Sequence, residues 1–174
     1  MKKSIRKIAA LVLAMIMASS MSLFVYAGQQ TQNVRTVDNT YRYTSENSAR
    51  TVAMPRGQLI SSIAVQITDE GGGTAHVYGE ILCHRSMRKI LMWLYLEKWD
   101  EESEDWITQD SQQFEWEAQN LPEGEDLSMA MVSYNVPNQE RGKDYRVRGV
   151  FGAFDLNSSL QEVWQDDSGE IMLE

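Results

Sequence analysis

A two-residue alternation of mostly apolar side chains, on both sides of a glycine-rich break, most constrains what this chain can fold into. The break is Gly71-Gly72-Gly73. Because successive side chains on a β-strand point to opposite faces, the alternation predicts two half-buried strands joined as a hairpin. The alternating positions are Leu59, Ser61, Ile63, Val65 and Ile67 before the break, and Ala75, Val77, Gly79, Ile81 and Cys83 after it.

The chain beyond this hairpin is predicted to consist of further strands. Met87 to Asp100 fits either a helical stripe or an alternating strand, but a helix ending at Trp99 would have no Gly or Pro cap, so a strand is favoured. About seven short strands with turns between them indicate an all-β fold, an antiparallel two-sheet sandwich of immunoglobulin-like type, over residues 58–174. The later predicted strands are Trp106 to Trp116, Leu127 to Val136, Tyr145 to Ala153, and two short ones at 163–164 and 171–173 around an Asp166-Asp167-Ser168-Gly169 turn.

The N-terminal residues 1–27 have the organisation of a secretory signal peptide. Lys2, Lys3, Arg6 and Lys7 precede an apolar stretch, and Val25-Tyr26-Ala27 predicts cleavage after Ala27. The alternative is an uncleaved membrane anchor, and both readings place the following domain outside the cell. We expect a signal-peptide helix, then a flexible polar arm over 28–57, where few large apolar side chains are available for burial.

Charge and composition exclude several classes of protein. The formal net charge is −9, so the chain does not have the surplus of Lys and Arg with which nucleic-acid-binding proteins neutralise phosphates. The single Cys cannot form an internal disulfide, and two His leave too few ligands for a structural zinc site. We therefore expect no nucleic-acid partner, no metal and no cofactor, and contact with the membrane only during export.

Acidic residues are concentrated in one part of the chain. Between Glu97 and Asp126 there are twelve Asp and Glu residues and one basic residue, Lys98. The run from Asp100 to Asp105 does not have the spaced carboxylates of a dedicated calcium loop, so a solvated hairpin tip is favoured over a calcium site. Such a patch would repel anionic polymers and attract a basic partner.

The candidate nucleophiles are not placed for catalysis. Cys83 and His84 are adjacent, so on a strand their side chains point to opposite faces. His76, Glu80 and His84 have the spacing of a metal site on a helix, but on a strand the two His lie about 26 Å apart. No Gly-x-Ser-x-Gly motif is present. We predict no catalytic residue and expect Cys83 in the core.

Aromatic residues are the best candidates for a ligand-binding surface. Trp93, Tyr95 and Trp99 would share one face of a strand, with Trp106 across the following turn. Ile90, Met92, Leu94 and Leu96 would occupy the opposite face, and the sequence does not decide which of the two faces the core. An exposed aromatic face would suit a carbohydrate-binding module. Tyr145, at the start of its strand, is predicted to be a structural corner tyrosine.

Several of these segments resemble a family of small exported domains of unknown function from Gram-positive anaerobic bacteria. The resemblance covers roughly residues 57–155 and implies a secreted β-sandwich. The family has no established activity, cofactor or catalytic residue that could be assigned to this sequence. The acidic stretch after Glu97 departs from the family pattern. The residues that carry the resemblance are Leu94-Tyr95-Leu96-Glu97-Lys98-Trp99, Trp106, Tyr145-Arg146-Val147-Arg148-Gly149 and the hairpin containing Gly71 to Gly73.

The expected function is therefore non-catalytic binding of an unknown macromolecule, a protein or a glycan, at the cell surface or outside the cell. The alternative is a carbohydrate-binding module that uses the aromatic strand face. The predicted ligand-binding residues are Trp93, Tyr95, Trp99 and Trp106.

Overall fold

The computed structural model describes residues 39–174, and the predicted signal peptide and residues 28–38 lie outside this range. Within it the chain forms nine β-strands and one turn of 3-10 helix, Ala118–Asn120. In this range there is no helix of the length and apolarity needed to cross a membrane. The strands are β1 Asn39–Ser45, β2 Ser48–Met54, β3 Ile60–Asp69, β4 Ala75–Cys83, β5 Met87–Asp100, β6 Asp105–Glu117, β7 Met129–Val136, β8 Asp144–Asp155 and β9 Gln161–Met172.

The strands form two antiparallel sheets that pack face to face. The first has the order β1-β2-β3-β4-β7 and the second the order β6-β5-β8-β9. The inward positions of both sheets form a single buried cluster in which most side chains have no exposed surface. The predicted all-β, two-sheet sandwich is therefore confirmed. Strands β3 to β9 are seven in number, and their pairing as β3-β4-β7 and β6-β5-β8-β9 is that of an immunoglobulin-type Greek key.

Tyr145 is the structural corner tyrosine that its position at the start of β8 predicts. The side chain is 1% exposed, and its hydroxyl donates to the backbone carbonyl of Glu140 at 3.2 Å. A buried phenol needs a partner for its hydroxyl group, and a carbonyl five residues upstream provides one. The bond ties the connection from β7 to the first residues of β8.

The prediction of a flexible arm over 28–57 was wrong for the part that the structure describes. Strands β1 and β2 form a hairpin that extends the first sheet beyond β3. Ala49, Thr51 and Ala53 point inward from β2 and are buried. These side chains are small, so β2 shows little apolar bulk although its inward face is buried. Composition alone therefore missed the hairpin.

The predicted turn at Asp166 to Gly169 is instead a β-bulge inside the single strand β9. Arg146 pairs with Glu170 and Arg148 with Asp167, so two residues of β9 oppose Val147. Gly169 has φ +79°, a value that glycine adopts without strain. The buried Ser168 hydroxyl accepts a hydrogen bond from the Val147 amide at 3.0 Å, which compensates for the interrupted ladder. Polar turn residues in sequence thus mark a bulge here.

Two glycines on inward positions allow large side chains to fill the space between the sheets. A Cβ atom on Gly149 would lie 2.6 Å from Phe151 Cε2 and 2.9 Å from Val65 Cγ2. A Cβ atom on Gly79 would lie 2.7 Å from Met92 Sδ. These distances are too short for real contacts, so the core depends on both positions having no side chain.

We predict that Gly149→Ala lowers the free energy of unfolding by about 1–3 kcal/mol, because the added methyl group overpacks the core. The control is Gly152→Ala in the same strand, where the new Cβ would make ordinary contacts of 3.5 and 3.6 Å. This control should leave stability unchanged or raise it by up to about 1 kcal/mol. Urea denaturation followed by tryptophan fluorescence measures both. Equal destabilisation by the two substitutions would contradict the packing argument.

Candidate functional site

The orientation of β5 determines which of its two faces is available for binding. Its aliphatic residues Ile90, Met92, Leu94 and Leu96 are 0% exposed and lie between the sheets. Trp93 and Tyr95 alternate with them and are half-buried on the opposite, outer face of the second sheet. The choice that the sequence left open is therefore made by the packing of the two sheets.

A β-bulge in β6 places Trp106 on this same outer face. Leu96 pairs with Asp110 and Glu97 with Thr108, so Gln109 is the extra residue. Trp106 consequently lies opposite Trp99, with ring centroids 5.4 Å apart and an interplanar angle of 63°. All four predicted ligand-binding residues thus lie on one face. Phe114 and Trp116, on the other side of the bulge, face the core instead.

A buried carboxylate and two arginines organise the aromatic side chains. Glu97, only 4% exposed, accepts from Arg146 Nε at 2.9 Å and from Arg148 Nε at 2.7 Å. Glu97 pairs directly with Arg146 across β5 and β8. Each hydrogen bond joins two charged groups, which makes it stronger and more directional than a neutral one.

Both arginines also stack on aromatic rings. The guanidinium carbon of Arg148 lies 4.1 Å from the centroid of the Tyr95 ring, and that of Arg146 lies 4.4 Å from the centroid of the Trp106 ring. Cation–π contacts of this kind fix the ring orientation as well as the position of the charge. We call the continuous row formed by Tyr95, Arg148, Glu97, Arg146, Trp106 and Trp99 the aromatic ladder.

Apolar side chains continue the outer face beside the ladder. Trp93 pairs with Val150, and Leu91 pairs with Gly152, so a position with no side chain lies next to the leucine. Val163 follows on β9 and is 49% exposed. We call the aromatic ladder together with Leu91, Trp93, Val150 and Val163 the binding face.

Carboxylates border the binding face. The β5–β6 turn is exposed, and its Glu101 forms an ion pair with Lys143 at 3.1 Å. Lys98, near the end of β5, forms a second ion pair with Glu140 in the β7–β8 connection at 2.9 Å. Hydrogen bonds from Ser103 lower the pKa of Asp100. Among residues 39–174 no three His, Cys, Asp or Glu side chains converge as a metal site would require. The bordering carboxylates are Asp100, Glu101, Glu102, Glu104 and Asp105 at the turn, Glu115 and Glu117 on β6, and Asp167 and Glu170 on β9.

The Cys and His side chains lie away from the binding face. Cys83 packs against the core at the end of β4, where burial and the nearby Glu162 carboxylate raise the pKa of its thiol to about 12. Glu162 itself accepts from the backbone amide of Leu59 at 2.8 Å and so ties β9 to the entry of β3. His76 Nδ1 lies 2.7 Å from Asn135 Oδ1. Cys83 is partly buried and packs against the core cluster rather than inside it, so the expected core position is confirmed only in part.

Sequence reasoning found the aromatic residues but missed the charged ones that hold them. The available signal was the placement of Arg146 and Arg148 two positions apart on a predicted strand of an acidic chain. Two like charges on one half-buried strand face are stabilised by a nearby carboxylate, and Glu97 is that group. The two arginines lie 49 and 51 residues from Glu97 in the sequence, so local patterns could not predict that they pair with it.

No protein-family model and no curated protein matches the chain. The resemblance to exported domains of Gram-positive anaerobes therefore stays a prediction.

We predict that Glu97→Gln lowers the free energy of unfolding by about 2 kcal/mol, because two arginines lose their shared buried counter-ion. It should also change the near-UV circular dichroism of the Trp99–Trp106 pair, since Arg146 is no longer held over Trp106. The matched control is Glu115→Gln, which removes an exposed ion pair with Lys89 and should cost less than about 0.5 kcal/mol. Similar losses in the two variants would refute the proposed role of Glu97.

We predict that iodoacetamide alkylates Cys83 in the folded protein at pH 8 about 10³-fold more slowly than in the urea-unfolded chain. The raised pKa leaves almost all of the folded thiol protonated, and only the thiolate reacts. The rate should keep rising up to pH 10 in the folded state, because the thiolate fraction is still growing there. Equal rates in the two states would show that the thiol is not shielded. Mass spectrometry of timed samples measures the rate.

Proposed function

We propose that the domain is a non-catalytic exported binding module, acting at the cell surface or outside the cell, and that its binding face recognises a basic segment of a protein partner. The observation that carries the proposal is the placement of Trp93, Tyr95, Trp99 and Trp106 outside the core, on one face of the second sheet. Trp, Tyr and Arg are the residues that most often dominate binding energy at protein interfaces.

Preorganisation supports this role. The aromatic ladder is held by the Glu97 carboxylate and by two stacked guanidinium groups, so its side chains are already ordered in the free protein. Ordering long side chains at an interface normally costs about 0.5–1.5 kcal/mol each. A partner that docks on an ordered face avoids much of that loss.

Charge complementarity favours a basic partner. The aromatic and aliphatic centre of the binding face is bordered by the exposed carboxylates of the β5–β6 turn and by further acids on β6 and β9. The two arginines at the centre are already neutralised in part by Glu97. A segment with apolar or aromatic anchors flanked by Lys and Arg would match this distribution and be drawn to it by the field of the acidic border.

The partner class can be tested with a displayed library of random peptides selected on the purified chain. We expect the enriched peptides to combine Lys or Arg with aromatic or aliphatic residues and to bind Trp93→Ala at least about 10-fold more weakly. Binding should weaken with salt, because part of it is electrostatic. The control is Tyr41→Ala, a variant at a 49% exposed tyrosine of the first sheet. The proposal would be overturned if the enriched peptides were acidic, or if they bound Trp93→Ala as tightly as the unaltered protein.

The second candidate is carbohydrate binding at the same face. Trp93 supports it, because neither a guanidinium nor another ring stacks on this indole among the described residues. In contrast, Arg148 covers one face of the Tyr95 ring, and Arg146 covers one face of the Trp106 ring. Less of these two rings is therefore left for stacking against a sugar. Titration with neutral hexasaccharides of glucose and N-acetylglucosamine, followed by tryptophan fluorescence, separates the two. A saturable change that Trp93→Ala abolishes would favour the carbohydrate function.

A further inference from the structure

A shallow depression lies on the outer face of the other sheet, where the β1–β2 hairpin meets β3. Its volume is about 270 Å³, and it is lined by Tyr43, Thr44, Ser45, Ser48, Arg50 and Gln66. Sites for drug-sized molecules are usually about 300–1,000 Å³, so this one suits a ligand of single-ring size. None of the predicted ligand-binding residues contributes to it.

The depression exists because Arg50 leans away from β1. Its Nη1 donates to Gln66 Oε1 at 3.1 Å, and its guanidinium carbon lies 5.2 Å from the ring centroid of Tyr78 on β4. Tyr43 pairs with Arg50 across β1 and β2 but is 60% exposed. The nearby Ser48 has a short side chain, so a tyrosine ring and a guanidinium group border a shallow floor.

The floor of the depression is already ordered. Gln66 Nε2 donates to Ser48 Oγ at 3.3 Å and to Thr68 Oγ1 at 3.0 Å, while Gln66 Oε1 accepts from Arg50. This network uses both ends of the amide, which determines its orientation. Arg50 retains further N–H donors, and no carboxylate of the described residues forms an ion pair with it.

Charge distinguishes this surface from the binding face. The described residues of β1, β2 and the following loop carry three arginines, Arg42, Arg50 and Arg56, against the single acid Glu46. A half-buried guanidinium that forms no direct ion pair among residues 39–174 can attract an anion, and its fork of donors matches a carboxylate. The exposed Tyr43 ring offers an apolar surface for a second ring, and the Ser and Thr hydroxyls offer partners for hydroxyl groups.

We propose that this depression, which we call the Arg50 site, binds one residue of a carboxylated sugar, with the carboxylate on Arg50 and the sugar ring against Tyr43. It is separate from the binding face and uses residues of the other sheet. Binding at the Arg50 site therefore does not depend on the basic protein partner of the binding face.

The test is a titration of the ¹⁵N-labelled purified chain with D-glucuronate, followed by amide shifts in heteronuclear NMR. D-Glucose, which has no carboxylate, and acetate, which has no ring, are the matched probes. We expect saturable shifts at Ser48, Arg50 and Gln66 with glucuronate, and at least about 10-fold weaker binding of both controls. The proposal would be overturned if acetate or glucose bound as tightly as glucuronate. It would also be overturned if none of the three probes gave saturable shifts.

Two variants assign the binding to the named side chains. Arg50→Gln and Tyr43→Ala should each weaken glucuronate binding about 10-fold or more, and the dispersion of the same spectra shows whether each variant is folded. The control is Arg56→Gln, an exposed arginine outside the depression, which should bind normally. Trp93→Ala should also bind normally, so failure here is distinguishable from failure of the peptide-binding proposal. Unchanged binding in Arg50→Gln would refute the assignment.

Discussion

Strand β5 packs a row of aliphatic side chains between the two sheets, and this burial determines the character of the second sheet's outer surface. Ile90, Met92, Leu94 and Leu96 have no exposed surface. Because side chains alternate along a strand, burying this row places Trp93, Tyr95 and Glu97 on the outer side. A shift of register by one residue would exchange the two sets, so the same hydrophobic contacts that stabilise the domain also place the aromatic residues of β5 outside the core.

The aromatic ladder shows how a buried charge can organise a surface without being a large source of stability. Removing Glu97 and both arginines from water is costly, and their mutual attraction offsets much of that cost. The contribution of the Arg–Glu–Arg arrangement is mainly geometric: it orients two guanidinium groups over Tyr95 and Trp106. The β-bulge at Gln109 completes the ladder, since it places Trp106 opposite Trp99.

The two outer faces of the sandwich differ in charge and shape. The second sheet presents an aromatic and aliphatic surface with an acidic border, and the first presents a small depression beside Arg50. The β1–β2 hairpin creates this difference, because it adds Tyr43 and Arg50 to an otherwise acidic domain. The two proposed ligands have opposite charge and are assigned to separate surfaces, so each surface can be altered by substitutions that leave the other intact.

The sequence by itself determined much of the local structure. Period-two patterning and turn residues predict the hairpin around Gly71 to Gly73 and the class of sandwich. The missing helix cap at Trp99 favours the strand over Met87 to Asp100, and the place of Tyr145 at the start of its strand predicts the corner. Tertiary structure alone decided which face of β5 is buried, the bulges at Gln109 and Ser168, and the pairing of the β1–β2 hairpin with β3. It also decided the contact of Glu97 with Arg146 and Arg148. These features depend on strand register and on partners up to about fifty residues away, and short-range patterns carry no information on either.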